Sequence, residues 1–163
     1  MINHLQAQKQ SVNIAVEIIN NSLRYIFFSK ERLEIKVENN TYKLKSNGMA
    51  VKPSEVSTGE RNILALCYFF TDILRQKEEI NAYSDEVFVI IDDPVSSFDY
   101  ENRVGIISLL KERLSSIICG NTNTKVVLFS HDIQSIFDFE KMCSEIDKKA
   151  NKCGLISCKH RVL

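Results

Sequence analysis

The chain has 163 residues, 44% hydrophobic and 26% charged, and its 21 basic and 21 acidic side chains cancel to a formal net charge of zero. That is enough chain for one domain with a core, of ordinary globular composition. Balanced charge excludes a global basic field for nucleic acid. No apolar run reaches the ~18 residues of a membrane span, and the opening MINHLQAQKQ lacks the basic start and apolar core of a secretory signal.

In chain order, the first segment reads as a helix. Leu5, Val12, Ile19 and Ile26 recur every seven residues, with Val16 and Leu23 at the second seam position. This is a heptad pattern, equally that of an amphipathic helix packed on a domain. In RLEIKVENNTYKLKSNG, Leu33, Ile35 and Val37 alternate with charged residues, and Tyr42 and Leu44 do so after Asn39-Asn40. The alternation predicts a half-buried β-hairpin closing at Asn47-Gly48. VSTGERNILALCYFFTDILRQ then opens a helix apolar almost all round, as for a core helix, and RQKEEINAYSDE is a polar connection.

Residues 87 to 91, VFVII, form a short continuous apolar run, the pattern of a central parallel strand. A helix is predicted from about Tyr100 to Leu114, with Val104, Ile107, Leu110 and Leu114 inward, then a loop over SSIICGNTNT. KVVLFS is a second buried strand ending at His131, and IQSIFDFEKMCSEIDKKA an amphipathic helix, with the last residues open to a further strand. Strand, helix, strand, helix in this order implies parallel βαβ pairing. The carboxyl ends of both strands, at Asp92 and His131, then open on one sheet edge, where ligands bind in such folds.

The chemistry is concentrated in VFVIIDDPVSSFD. A buried apolar strand runs into two adjacent aspartates, whose repulsion and desolvation call for a cation. An apolar strand ending in Asp92-Asp93 is the pattern that holds Mg2+ beside a nucleotide and positions a water; solvated loop carboxylates are the plainer reading. SSFD adds a serine pair and Asp99, which alone reads as a helix cap. His131 at the end of VVLFS falls on the same edge. In VSTGERN, Ser57 and Glu60 have capping-box spacing, which alone starts a helix. Gly59 is not explained by a cap, and a glycine at a helix N-terminus admits the close approach of a phosphate.

Taken together, STGE, a strand with DD, SSFD and a strand with SH resemble ABC-type ATPases, specifically the head domains of coiled-coil ATPases of the chromosome-maintenance and DNA-repair kind. IIDDPVSSFD with STGER is most similar to the anticodon-nuclease-associated, phage-defence AAA ATPase subgroup. The resemblance implies an α/β fold, the C-terminal lobe of a P-loop NTPase head. Residues 1–28 would end a coiled-coil arm and residues 29–163 form the lobe. It implies that Ser57, Thr58, Gly59 and Glu60 are the signature motif, contacting a γ-phosphate held by the opposite subunit. Asp92 becomes the Walker B aspartate for Mg2+, Asp93 the carboxylate that orients the attacking water, Ser97, Phe98 and Asp99 the D-loop, and His131 the switch histidine on the γ-phosphate. The implied cofactors are ATP and Mg2+. The implied partners are a second head in a homodimer, a Walker A lobe, and a nucleic acid or nuclease effector, with no membrane.

Two departures stand out. Asp93 occupies the place where many relatives carry glutamate, one methylene longer. A Walker A loop is also missing: none of Gly48, Gly59, Gly105, Gly120 and Gly154 has the G-x-x-x-x-G-K-[ST] spacing. The resemblance therefore implies ATP hydrolysis only in a complete protein, with this chain alone inactive. A rival is a non-enzymatic interaction module that retains the fold, and a third reading is a nucleic-acid-binding effector.

Cys67, Cys119, Cys143, Cys153 and Cys158 make an odd count without tight pairing, which fits a reducing, cytoplasmic setting. Cys143, Cys153, Cys158 and His160 lack the short knuckle spacing of a zinc site, and reduced structural thiols are the other reading.

Overall fold

The computed structural model describes residues 2–38, 41–74, 83–95, 98 and 100–152, with side chains of the helical residues 2–11, 74, 100, 101 and 152 excepted. The chain divides into two compact units, Met1–Arg75 and Gln76–Leu163.

The first unit begins with helix α1 (Ile2–Phe27), followed by strands β1 (Glu34–Glu38), β2 (Thr41–Ser46) and β3 (Met49–Val51) and helix α2 (Thr58–Leu74). Helix α1 buries Ile19, Leu23, Ile26 and Phe27, spaced to line one face. Val12 and Val16 are half-buried, and Leu5 lies outside the described side chains. Phe28 follows with φ 51°, the left-handed conformation that ends a helix.

The sheet is antiparallel in the order β1-β2-β3. Asn47 and Gly48, at φ 50° and 80°, form the two-residue turn their sequence favours. That turn joins β2 to β3, with Leu44 opposite Val51, whereas the expected hairpin closed there. β1 and β2 meet across residues 39 and 40, which lie outside the described residues. The difference is the third strand, Met49–Val51, whose three residues are too few to show a periodicity.

Asn20 ties helix to sheet. Its Nδ2 donates to the Ile35 carbonyl at 2.8 Å, and its Oδ1 accepts from the Ile35 N–H at 2.8 Å. The amide thus occupies one place on the open side of edge strand β1 where another strand would pair. Helix α2 buries Ile63, Cys67, Phe70 and Thr71 on one face, yet leaves Tyr68 and Phe69 exposed. The expectation of a helix enclosed all round is corrected here: one face is buried and an apolar face is open.

The second unit contains strand β4 (Phe88–Asp92), helix α3 (Tyr100–Gly120), strand β5 (Lys125–Phe129) and helix α4 (Ile133–Lys152). β4 and β5 pair in parallel from Phe88 opposite Lys125 to Asp92 opposite Phe129. The expected βαβ arrangement is therefore present, in a mixed α/β architecture with a small parallel sheet.

Three expectations change. Helix α3 continues through the predicted loop to Gly120, because Leu114 and Ile117 extend the stripe that begins with Ile106, Leu109 and Leu110. Val104 is exposed rather than inward. β4 is not buried on both faces: Val89 and Ile91 are 4% and 8% exposed, while Phe88 and Ile90 are 64% and 54% exposed. Alternation over a wholly apolar strand is invisible to composition, so only the structure separates its two sides.

Helix α4 buries Phe139, Met142, Ile146 and Ala150 at helical spacing and packs on α3. At the start of the strands, Asn121 Nδ2 donates to the Ser84 carbonyl at 2.8 Å and the Val87 N–H to Thr124 Oγ1 at 3.3 Å. Among the described residues, no helix is long and apolar enough to cross a membrane.

Candidate functional site

The strand ends β4 and β5 carry the candidate site. Asp92, the last residue of β4, is exposed. Asp93 extends the pairing by one bond, its N–H donating to the Phe129 carbonyl at 2.9 Å. It then turns out of the sheet with φ 49°, a conformation that Asp tolerates and branched residues resist. The turn carries its carboxylate across to the end of β5. Ser130 Oγ donates to Asp93 Oδ1 at 3.0 Å, and His131 Nδ1 lies 2.6 Å from Asp93 Oδ2. Asp93 is 21% exposed and His131 78%, so a sheltered carboxylate fixes one nitrogen of an outward-facing imidazole. A histidine with one nitrogen so anchored can present the other to a ligand or exchange a proton there.

Beside this pair lies a group that the motifs did not single out. The Asp132 N–H donates to Ser130 Oγ at 3.2 Å. The Asp132 carboxylate caps helix α4, accepting from the Ser135 N–H at 3.0 Å and the Ser135 hydroxyl at 2.7 Å. Arg103 of α3 joins it through Nη1 at 3.1 Å, while its Nε reaches Asp138 at 2.8 Å and its Nη2 donates to Ser135 Oγ at 3.1 Å. The Ser135 hydroxyl first, and then the Arg103 guanidinium, hold the Asp132 carboxyl down at about 2. Burial opposes the charge on Arg103, but its bonds to Asp138 and Asp132 raise it above its usual range.

Two signals in the sequence mark this cluster. Asp132 stands three residues before Ser135, a capping spacing. Arg103 puts a cation in the first turn of α3, against the helix dipole, which calls for fixed anionic partners.

In the first unit, VSTGERN forms the capping box its spacing predicts. The Glu60 N–H donates to Ser57 Oγ at 3.1 Å, the Ser57 N–H donates to Glu60 Oε2 at 3.0 Å, and the Ser57 hydroxyl donates to the same oxygen at 3.0 Å. Arg61 Nη2 donates to Thr58 Oγ1 at 3.1 Å. Arg32 lies 3.9 Å from the Glu60 carboxylate and 5.0 Å over the Phe27 ring. Ser57 and Thr58 are exposed, and Gly59 and Glu60 half-buried. Ser97 and Asp99 lie outside the described residues, as do Cys153, Cys158 and His160, while Phe98 is half-buried.

The donor set can be compared with what Mg2+ requires. Among the described residues, no group of three or more His, Cys, Asp or Glu could hold a metal ion. An exposed carboxylate at a strand end fits Mg2+ all the same, because that ion uses one or two carboxylates and completes its shell with water and phosphate oxygens. Zinc, which takes several nitrogen or sulfur ligands, does not fit this set.

Residues 1–161 match the model of a family described as AAA domain. The chain belongs to the AAA domain family. Membership fits an ATPase-type, nucleotide-binding function, and the family generally uses ATP with Mg2+. Two curated relatives of this AAA domain are both called "Uncharacterized chromosomal cassette SCCmec type IVc protein CR006", one from Staphylococcus aureus strain MRSA252 and one from Staphylococcus aureus. Each is 29% identical over 84 residues, which is 52% of this chain and 11% of the relative's length. Among solved structures, the AAA domain is similar to an SMC head domain from Thermotoga maritima, at 20% identity and a TM-score of 0.47, covering 80% of this chain and 44% of that one.

Proposed function

We propose that this chain is part of an ABC-type ATPase head whose hydrolytic end is the cluster Asp92, Asp93, Ser130 and His131. The observation that carries the reading is the pairing of Asp93 with His131 at the carboxyl ends of two parallel strands, 2.6 Å apart. Asp92 would ligate Mg2+ when nucleotide is bound, and the metal would neutralise phosphate charge. Asp93 would hold the imidazole and present a carboxylate to the attacking water. His131, fixed through Nδ1, would offer its remaining nitrogen to the γ-phosphate.

The phosphate-wrapping loop is supplied in this reading by a Walker A lobe outside these 163 residues. The dimeric part of the proposal is that Ser57, Thr58, Gly59 and Glu60 face the nucleotide of a second head. Ser97 and Asp99 serve as the D-loop between heads, and residues 1–28 end a coiled-coil arm ahead of the lobe at 29–163. A cytoplasmic phage-defence system with a nuclease or nucleic-acid effector is the setting that the motif resemblance supports.

The capping box favours a second reading, an interaction module without nucleotide chemistry, because Ser57 and Glu60 already use their polar atoms on each other. The two readings separate in one experiment. The chain is titrated with Mg-ATP by calorimetry, alone and combined with a Walker A lobe, and phosphate release is followed. The ATPase reading expects tight binding and Mg2+-dependent hydrolysis only in the combination. Absence of both from the combination leaves the interaction module. Tight binding by the chain alone would replace both with a self-contained ATPase.

A further inference from the structure

We propose that Arg103 is the positioning residue of the Asp93–His131 pair, holding the turn from Ser130 to Asp132 so that the hydroxyl and the imidazole reach the Asp93 carboxylate together. The inference deepens the proposed reading of that site and rests on it for its functional meaning.

A continuous path connects the two ends. Arg103 binds Asp132 at 3.1 Å, the Asp132 N–H donates to Ser130 Oγ at 3.2 Å, and that hydroxyl donates to Asp93 Oδ1 at 3.0 Å. His131 lies between Ser130 and Asp132 in the chain, so both flanking residues are fixed by groups other than His131 itself. The imidazole is 78% exposed and receives little packing. Its orientation depends on its single carboxylate contact and on the backbone that carries it. Arg103, with its side chain only 14% exposed, is the most sheltered charge of the network.

The guanidinium is suited to this role by shape. Nε, Nη1 and Nη2 each take a different partner: Asp138, Asp132 and Ser135. A lysine has one nitrogen and cannot hold three diverging groups in one plane. Without the cation, the Asp132 and Asp138 carboxylates that it bridges would be two negative charges with no shared counter-ion. Charge and geometry therefore act in the same direction on the turn.

The alternative is that Arg103 simply fastens α3 to α4. Lys111 and Glu145, 2.9 Å apart, also link those helices and provide the control. The test is the side-chain nitrogen NMR spectrum of His131 in the 163-residue chain, assigned by His131→Gln, with the amide fingerprint as the measure of folding. The parent should show Nδ1 protonated and hydrogen-bonded. Arg103→Met and Arg103→Lys should lose that signature while keeping a folded fingerprint, and Lys111→Met should keep it. Asp132→Asn retains a good helix cap but breaks the ion pair, and should also lose the signature.

An unchanged His131 signature in a folded Arg103→Met chain overturns the proposal. If Arg103→Met does not fold, an unchanged signature in Asp132→Asn does so, and failure of both variants to fold makes Arg103 a fastening alone. The spectrum needs no nucleotide, so loss of the ATPase reading would show in phosphate release and not here. In a hydrolysing assembly, the same variants should lower kcat with KM retained.

Discussion

The Asp93 N–H donates to the Phe129 carbonyl at 2.9 Å, one step past the last register pair of the parallel sheet. That bond sets where the chain leaves the sheet and hence where the Asp93 carboxylate points. Asparagine preserves the shape and tolerates the same left-handed backbone. In a protein containing the Walker A lobe, Asp93→Asn is therefore expected to fold, to bind Mg-ATP, and to hydrolyse it slower by roughly 10² or more, the scale for a lost acid–base group. Two heads should remain together around ATP, read from dimer mass. Ser57→Arg should instead leave ATP on its own head and block engagement by the partner. Turnover of Asp93→Asn at the parent rate would remove Asp93 from the chemistry.

Asp132 ties stability to acid. Its carboxyl ordinarily titrates at 3.8 and is held at about 2 in the folded chain. A lowered folded value stabilises the native state above the ordinary value, and the contribution is lost as pH falls from about 4 through about 2. The urea midpoint of the chain should decline over that window, and the decline should be shallower in Asp132→Asn. Equal slopes in the two proteins would show that Asp132 gains nothing from Ser135 and Arg103.

How much of this was legible in the sequence follows from the range of each interaction. The strands VFVII and KVVLF, their parallel pairing and the convergence of Asp93 with His131 could be read because the signals are local and strong. The capping box could be read for the same reason. Arg103 could not be matched to Asp132 and Asp138, which lie a helix and a strand away in the chain. The extension of α3 was hidden by Ser115 and Ser116, read as loop residues. Ser115 is buried and the Ser116 hydroxyl donates to the Glu112 carbonyl at 3.1 Å, so both sit within the helix. The bare side of β4 was hidden because an apolar side chain reads alike whether or not anything covers it.

Asn20 offers a test of the first unit. Its amide satisfies both the N–H and the C=O of Ile35. Asn20→Leu fills similar volume but leaves both backbone groups without that partner. A loss of about 2 kcal/mol is expected, the cost of partly sheltered unsatisfied groups. Asn20→Asp, which keeps an acceptor only, should fall between. Chemical denaturation midpoints would measure both, and a neutral Asn20→Leu would mean that water replaces the amide without loss.

Two glycines should respond for different reasons. A Cβ on Gly120 would collide with the Tyr83 carbonyl oxygen and lie 2.5 Å from Tyr83 Cβ. Gly120→Ala should cost about 1–3 kcal/mol, as overpacking does. A Cβ on Gly48 meets nothing within 4 Å, but φ is 80° there. Gly48→Ala should cost about 1–2 kcal/mol from backbone conformation alone, and Gly48→Asn much less. Thermal melts of the three variants would establish the order.

The pairing of β4 with β5 also bears on how the chain acquires its structure. β2 and β3 are joined by Asn47 and Gly48 and can zip from that turn. β4 and β5 run the same way, with all of α3 between them, so no turn can bring them together. Closing that excursion carries an entropic cost before any strand pairing offsets it. Formation of α3 shortens the excursion, so a helix formed before the strands pair lowers that cost. Asp93 and His131 stand at the far ends of those two strands, so the site exists only once the non-local pairing has been made.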